Sequence, residues 1–232
     1  MSALQIPFRT PLVGPQPAST QLFPPFEQAA SGQPALTQND AQRLIEHCGD
    51  GRQAAEAMIS SRFAAAYEAR IGHFMPRLLS LQTPSGLPVG VCGLREATAQ
   101  PLFLERYLAQ PIEQAIAAAI GQTVERHSIV EVGQLAGRGA GTFRTLILRV
   151  TERLHEEGHR WVVFTGTTAL RNAFARLGLT PRELAPADPA CLSAAEKAAW
   201  GSYYQHGPRV MFGDIQEGFV AIAAHQRTGG KA

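Results

Sequence analysis

Lysine is almost missing from this chain. Of 21 basic residues among 232, only Lys197 and Lys231 are lysine, and neither lies near the glycine-rich segment 133–142. A Walker-type phosphate loop ends in Gly-Lys-Ser/Thr, so that chemistry is excluded. Cysteine is scarce too: Cys48, Cys92 and Cys191 are odd in number and scattered, with no Cys-x-x-Cys pair. Neither a disulfide framework nor a zinc site is expected. The histidines show no His-Glu-x-x-His spacing, so metal catalysis has no support. The formal charge of +2 gives neither a nucleic-acid stripe nor an acidic tail. No run approaches the ~20 apolar residues that cross a bilayer. Residues 1–14 lack a basic cluster leading into an apolar core, so no signal peptide is expected and a cytoplasmic protein is.

What is present is enough apolar material, 45% of residues, for one sizeable core. Residues 1–36 hold seven prolines (Pro7, Pro11, Pro15, Pro17, Pro24, Pro25 and Pro34) among Gln, Ser and Thr, and read as an extended or disordered arm. The domain is expected over 37–225, with a polar tail over 226–232. Thr37 and Asp40 predict a helix start, with helical character continuing past a break at 49–51 to about Arg70. Residues 77–81 and 88–94 read as strands joined by the turn Thr83-Pro-Ser-Gly86. Residues 102–120 read as helical with a restart at Pro111, 128–135 and 160–165 as strands, 168–177 as a helix closed by Gly178, and 209–212 as a late strand. This alternation predicts a mixed α/β domain, a central sheet flanked by helices.

The most informative stretch is Glu131-Val-Gly-Gln-Leu-Ala-Gly-Arg-Gly-Ala-Gly-Thr-Phe-Arg144. It reads as a strand, a glycine-rich turn and a helix beginning near Thr142, whose hydroxyl is placed to cap the first turn. Phe143, Leu146, Ile147, Val150 and Leu154 make one apolar helical face. Gly137, Gly139 and Gly141 are free to take positive φ and turn several amides toward one point. Unpaired amides and the helix dipole both favour an anion there, and Arg138 and Arg144 add full charges. The dinucleotide spacing Gly-x-Gly-x-x-Gly fails, because position 142 is Thr. The spacing that fits, Gln134-x-x-Gly137-x-Gly139, resembles the Q/R-x-x-G-x-G/A loop of the GNAT acyltransferases. That resemblance implies amides holding the pyrophosphate of coenzyme A, along Gln134, Leu135, Gly137, Arg138, Gly139, Ala140, Gly141 and Thr142. A purely structural turn is the alternative.

Further blocks resemble the thermostable hemolysin family over roughly residues 60–215. They are Arg70-Ile-Gly-His-Phe-Met-Pro-Arg-Leu-Leu79, Gly93-Leu-Arg95, Leu102-Phe-Leu-Glu-Arg-Tyr-Leu108, Ile129-Val-Glu-Val-Gly133, Trp161-Val-Val-Phe-Thr165, Ala185-Pro-Ala-Asp188 and Trp200-Gly-Ser-Tyr-Tyr204. That family is distantly similar to GNAT proteins and to the acyl-homoserine lactone synthases, which implies a GNAT-like fold. The lactone synthases carry a Glu-x-x-Arg block on the central strand for the amine acceptor. Here Glu131-Val-Gly-Gln134 stands in its place, and the missing Arg leaves acceptor identity open.

The resemblance implies an N-acyltransferase with no tightly bound cofactor. Acyl-CoA or an acylated carrier protein would bring a phosphopantetheine thioester, and a small amino-acid-like amine would attack directly. Glu131, in an apolar strand, is the candidate to orient or deprotonate that amine; a structural ion pair with Arg95 is the other reading. Arg70, Arg95, Phe103, Glu105, Tyr107 and Phe174 are candidates for the acceptor or acyl-chain pocket. Many GNAT enzymes place a Tyr where Phe174 stands, four residues before the glycine that ends its helix. A thiol of pKa ~8.5 leaves readily without that acid. Tyr203 and Tyr204, beside Trp200, read as packing. The helix around Leu102–Ile120 is apolar on more than one face, one to meet the sheet and another to line an acyl tunnel or an oligomer interface such as a homodimer. Two other functions stay open: a lipid- or membrane-active hemolysin-like protein, and a GNAT-fold binding module without chemistry.

Overall fold

A computed structural model describes residues 42–98 and 100–229. Seven strands form one sheet: Arg43–His47 (β1), Arg77–Gln82 (β2), Pro88–Glu96 (β3), Ile129–Gly137 (β4), Trp161–Gly166 (β5), Arg182–Pro186 (β6) and Arg209–Asp214 (β7). Their spatial order is β1-β2-β3-β4-β5-β7-β6. Every pairing is antiparallel except β4 with β5. The expected β2–β3 hairpin closes through Thr83, whose amide donates to the Leu87 carbonyl and whose carbonyl accepts from Gly86.

The helices are Arg52–Tyr67 (α1), Ile112–Ile120 (α2), Ala140–Glu156 (α3), Thr168–Arg176 (α4), Ala194–Ala199 (α5) and Ile215–Gly229 (α6). Ala55, Ile59 and Phe63 recur every four residues, so one stripe of α1 is buried, on Leu78, Val91 and Ala136 of the sheet. Ile112 and Ile116 of α2 pack on the same face of the sheet, against Ile129, Val163 and Phe212. Leu146, Val150 and Leu154 of α3 cover the opposite face, on Leu79, Cys92 and Val130, and α6 adds Ile215 there.

Three expectations are corrected. Residues 43–47 are an edge strand, not helix: Glu46 pairs with Arg77 of β2 and His47 bonds Ser80, contacts that exist only across the ladder. Thr37 and Asp40, like the proline-rich arm, lie outside the described residues. Within residues 102–120 the expected restart at Pro111 is found: Pro111 is the N-cap of α2, and the part before it, Phe103–Tyr107, is a 3-10 turn. Residues 226–229 continue α6 rather than forming a tail. Finally, α2 lines no tunnel, because Ile112 and Ile116 are wholly enclosed in the core.

One irregularity shapes the site. Gly93 pairs with Gly133 but Val91 with Ala136, so β4 holds one extra residue, a bulge. Gln134 sits in it with φ 52, in the left-handed region few non-glycine residues adopt. A bulge bends its strand. β4 and β5 accordingly pair only over Ile129–Glu131 and Trp161–Val163, then fork apart.

Candidate active site

A cleft of about 1470 Å3 opens at this fork. Glu131 is at its root, the last residue of β4 to pair with β5, and is only 3% exposed. Its carboxylate accepts the Phe103 amide at Oε2 and the Leu104 amide at Oε1, both at 3.3 Å. The ion pair with Arg95, the alternative reading of Glu131, is not formed among the described residues, although Arg95 faces Glu131 across the ladder and its charge acts on the carboxylate. Burial dominates and pushes Glu131 up to about 7, against the opposing pull of Arg95 and the two amides. A carboxyl group held there exchanges a proton near neutrality.

Of the predicted pocket residues, Arg70, Arg95, Phe103, Tyr107 and Phe174 do line the cleft. Arg70 and Arg95 have no carboxylate partner among the described residues. Glu105 is the correction. It faces away, bonded to both terminal nitrogens of Arg126 and accepting the Leu102 and Ile112 amides, which hold its carboxyl below the usual range despite burial. Phe174 stacks on Phe164 at 4.9 Å and has no proton to give.

The glycine-rich segment is arranged differently from expectation. None of Gly137, Gly139 and Gly141 takes a left-handed φ; the left-handed residue is Gln134. Helix α3 begins at Ala140, with Gly139 as its N-cap, so Thr142 is already helical. The Thr142 methyl instead packs over Gly90 and Gly137. The Arg138 amide donates to Val89 and is not part of a cradle, while its side chain lines the cleft exposed. Gln134 lines the cleft, but its side-chain amide is already engaged: its Oε1 accepts the Met75 amide and its Nε2 donates to the His73 carbonyl. It braces the segment 70–76 against the bulge. Leu135, Gly137 and Gly139 also line the cleft; Gly141 and Thr142 do not. An ideal Cβ on Gly139 would meet nothing within 4 Å, so the approach to the α3 N-terminus is open.

Sequence reasoning missed the wall opposite α3. Tyr67, Trp200 and Tyr203 join Phe103 there, with ring centroids 5.2 Å apart for Tyr67 and Tyr203, 5.0 Å for Trp200 and Tyr203, and 6.1 Å for Phe103 and Trp200. Phe63 and Tyr67, four apart on α1, were the available signal. Burial raises Tyr67 and Tyr203 above the usual phenol range, so both stay protonated at neutral pH. Tyr203 donates to the Thr165 carbonyl at 3.3 Å. Tyr204 is hydrogen-bonded to Tyr107. Among the described residues no group of His, Cys, Asp or Glu is placed to hold a metal ion, and no helix is long and apolar enough to cross a membrane.

Several solved structures share this fold. FeeM, an N-acyl amino acid synthase from uncultured soil microbes, superposes with a TM-score of 0.53 at 15% identity, covering 79% of this chain and 94% of that one. BjaI, a CoA-dependent acyl-homoserine lactone synthase solved with SAM and isopentyl-CoA, gives 0.51 at 15% identity, covering 81% and 90%. TofI in an apo form gives 0.51 at 15% identity, covering 78% and 96%. At such identities the likeness is one of fold. No curated protein matches the chain in sequence. The profile of the thermostable hemolysin family, however, matches residues 45–219, the whole of the sheet but its first two residues. The chain belongs to the thermostable hemolysin family, and its architecture is the GNAT-like fold.

Proposed function

We propose that this protein is an N-acyltransferase that moves an acyl group from a phosphopantetheine thioester, on coenzyme A or a carrier protein, directly to an amino-acid-like amine. The observation that carries the reading is Glu131: a carboxylate buried at the root of an open cleft, without a countercharge in contact and poised near pH 7. Structural economy alone does not favour an ionisable group there, since an uncompensated buried charge is costly.

The acceptor's nitrogen attacks the thioester carbonyl carbon. A C–N bond forms, the C–S bond breaks, Glu131 takes the proton lost by nitrogen, and the thiolate departs and is protonated from solvent. No covalent enzyme intermediate is needed. Phe174 supplies no acid, and a thiolate with pKa ~8.5 needs little help. The phosphate-bearing arm of the donor lies at the open α3 N-terminus beside Gly139 and Arg138, where first-turn amides and the helix dipole favour anions. Arg95 and Arg70, cations on the cleft wall with no carboxylate in salt-bridge contact among the described residues, suit an acceptor that carries a carboxylate. FeeM and BjaI are named for donors and products of this kind.

A second reading has one observation on its side: Phe174 lacks the phenol, so the same cleft would suit a module that binds thioesters without turning them over. Release of free thiol from acyl-CoA, measured with amines that have or lack a carboxylate, separates the two. Amine-dependent release is expected. Binding of acyl-CoA with no release above the amine-free control, for every amine, overturns catalysis in favour of the module.

A further inference from the structure

The cleft does not end at the fork. It continues on the α3 face of the sheet as an apolar branch walled by Ile147, Val150 and Leu154 of α3, Val162 of β5, and Ile215 and Gly218 of α6. Leu135, next to the bulge, packs against both core clusters that wall it and so marks the way in from the catalytic end. Two polar side chains along the branch, Thr151 and Asp214, are already engaged. The Thr151 hydroxyl donates to the Ile147 carbonyl at 2.9 Å. Asp214 pairs with Arg160 at 2.6 Å and accepts the Glu217 amide at 3.1 Å. Apart from the exposed Glu217, the branch has little with which to recognise a polar ligand, and much to offer an alkyl chain.

Gly218 sharpens the point. It sits inside α6, where glycine is among the poorest helix formers. A Cβ there would lie 3.6 Å from Thr151 Cγ2 and 3.7 Å from Leu179 Cδ2, ordinary contacts, so neither crowding nor positive φ demands glycine. What glycine does is keep the α6 wall thin where it lines the branch.

We infer that this branch between α3 and α6 is the acyl-chain site, that it takes alkyl chains of medium length, and that Gly218 sets its length. The inference rests on the thioester-transfer reading but makes a separate demand: the chain lies under α3 and α6, away from the helix α2 that the sequence pattern suggests.

The test uses the full chain with straight-chain acyl-CoA thioesters from acetyl to dodecanoyl, each assayed for amine-dependent thiol release. With roughly three methylenes buried, each worth a factor of about four, octanoyl should exceed acetyl in kcat/KM by about 50-fold. Gly218→Leu fills the branch and should lower the octanoyl-to-acetyl ratio by about ten-fold or more. Should that variant not fold, Gly218→Ala, whose Cβ meets only ordinary contacts, should move the optimum to a shorter chain. Equal use of acetyl and octanoyl, or an unmoved ratio in a folded Gly218 variant, overturns the inference while leaving acyl transfer standing. No thiol release from any thioester defeats the transfer reading instead. In that case thermal stabilisation by octanoyl-CoA relative to coenzyme A reads the branch directly, and equal stabilisation by the two overturns it.

Discussion

Two carboxylates near one wall of the cleft meet opposite fates. In the corner around Glu105, burial is answered: Arg126 grips both oxygens, Glu113 shares that arginine, and two amides complete the shell. In the fork around Glu131, burial is deeper but the answer is thin, two long amide contacts and an arginine out of salt-bridge reach. Glu105 is therefore held below the usual carboxylate range while Glu131 rises to about 7. Both residues follow from the same rule, that a buried charge must be compensated. The compensated one is structural; the other retains capacity for a ligand.

The sharpest way to break this contrast is Glu131→Gln. Turnover should fall by roughly 100-fold or more, the usual scale for a lost general base, with no loss of thermal stability and a gain as pH rises toward 7, where the variant carries no buried charge. Thiol-release kinetics beside a melting curve decide it, and a large loss of stability with normal turnover per folded molecule would make Glu131 an anchor for the 103–107 turn instead.

The pH profile is the next largest effect, and its sign is fixed by the raised value. Between an unfolded pKa near 4.5 and a folded one of about 7, the native state binds the extra proton. Stability from this group is thus fully present below about pH 4.5 and declines as pH rises to about 7, by on the order of 3 kcal/mol. Activity should move the opposite way, rising through about pH 7 as the base ionises. Denaturant midpoints across that window should lose this slope in Glu131→Gln; an unchanged slope would assign the titration to other groups.

Glu105→Gln should do the reverse of Glu131→Gln. Removing the charged partner of Arg126 should cost about 2 kcal/mol of stability, read from denaturation, while turnover per folded molecule stays near normal. A specific loss of turnover would return Glu105 to the site. The smallest effect expected is at Gly139. Its φ of 176 is extended backbone open to any residue, and a Cβ meets no neighbour, so Gly139→Val should fold normally. If donor phosphates approach the α3 N-terminus, coenzyme A affinity should drop about ten-fold by calorimetry, the loss of one charge-assisted hydrogen bond or so. Undiminished binding would leave the segment a structural turn.

Residues and spacing alone settled much of this. The hairpin of β2 and β3, the buried β5, the apolar face of α3 and the mixed α/β class follow from periodicity, because local burial patterns repeat at 2 or 3.6 residues whatever surrounds them. Glu131 stood out for the same reason, as a charge in an apolar strand. Spacing also brought Gly137 and Gly139 into view but misjudged their role, since the conformational demand falls on Gln134. A bulge is a mismatch between two strands, and nothing in β4 alone reveals it. The strand nature of residues 43–47 likewise depends on Arg77 and Ser80, thirty-odd positions away. Which carboxylate is compensated, which wall is aromatic and where the apolar branch runs were decided only by the tertiary structure. These are properties of distances between elements far apart in the chain, and the cost of burying a charge depends on what lies within a few ångströms of it.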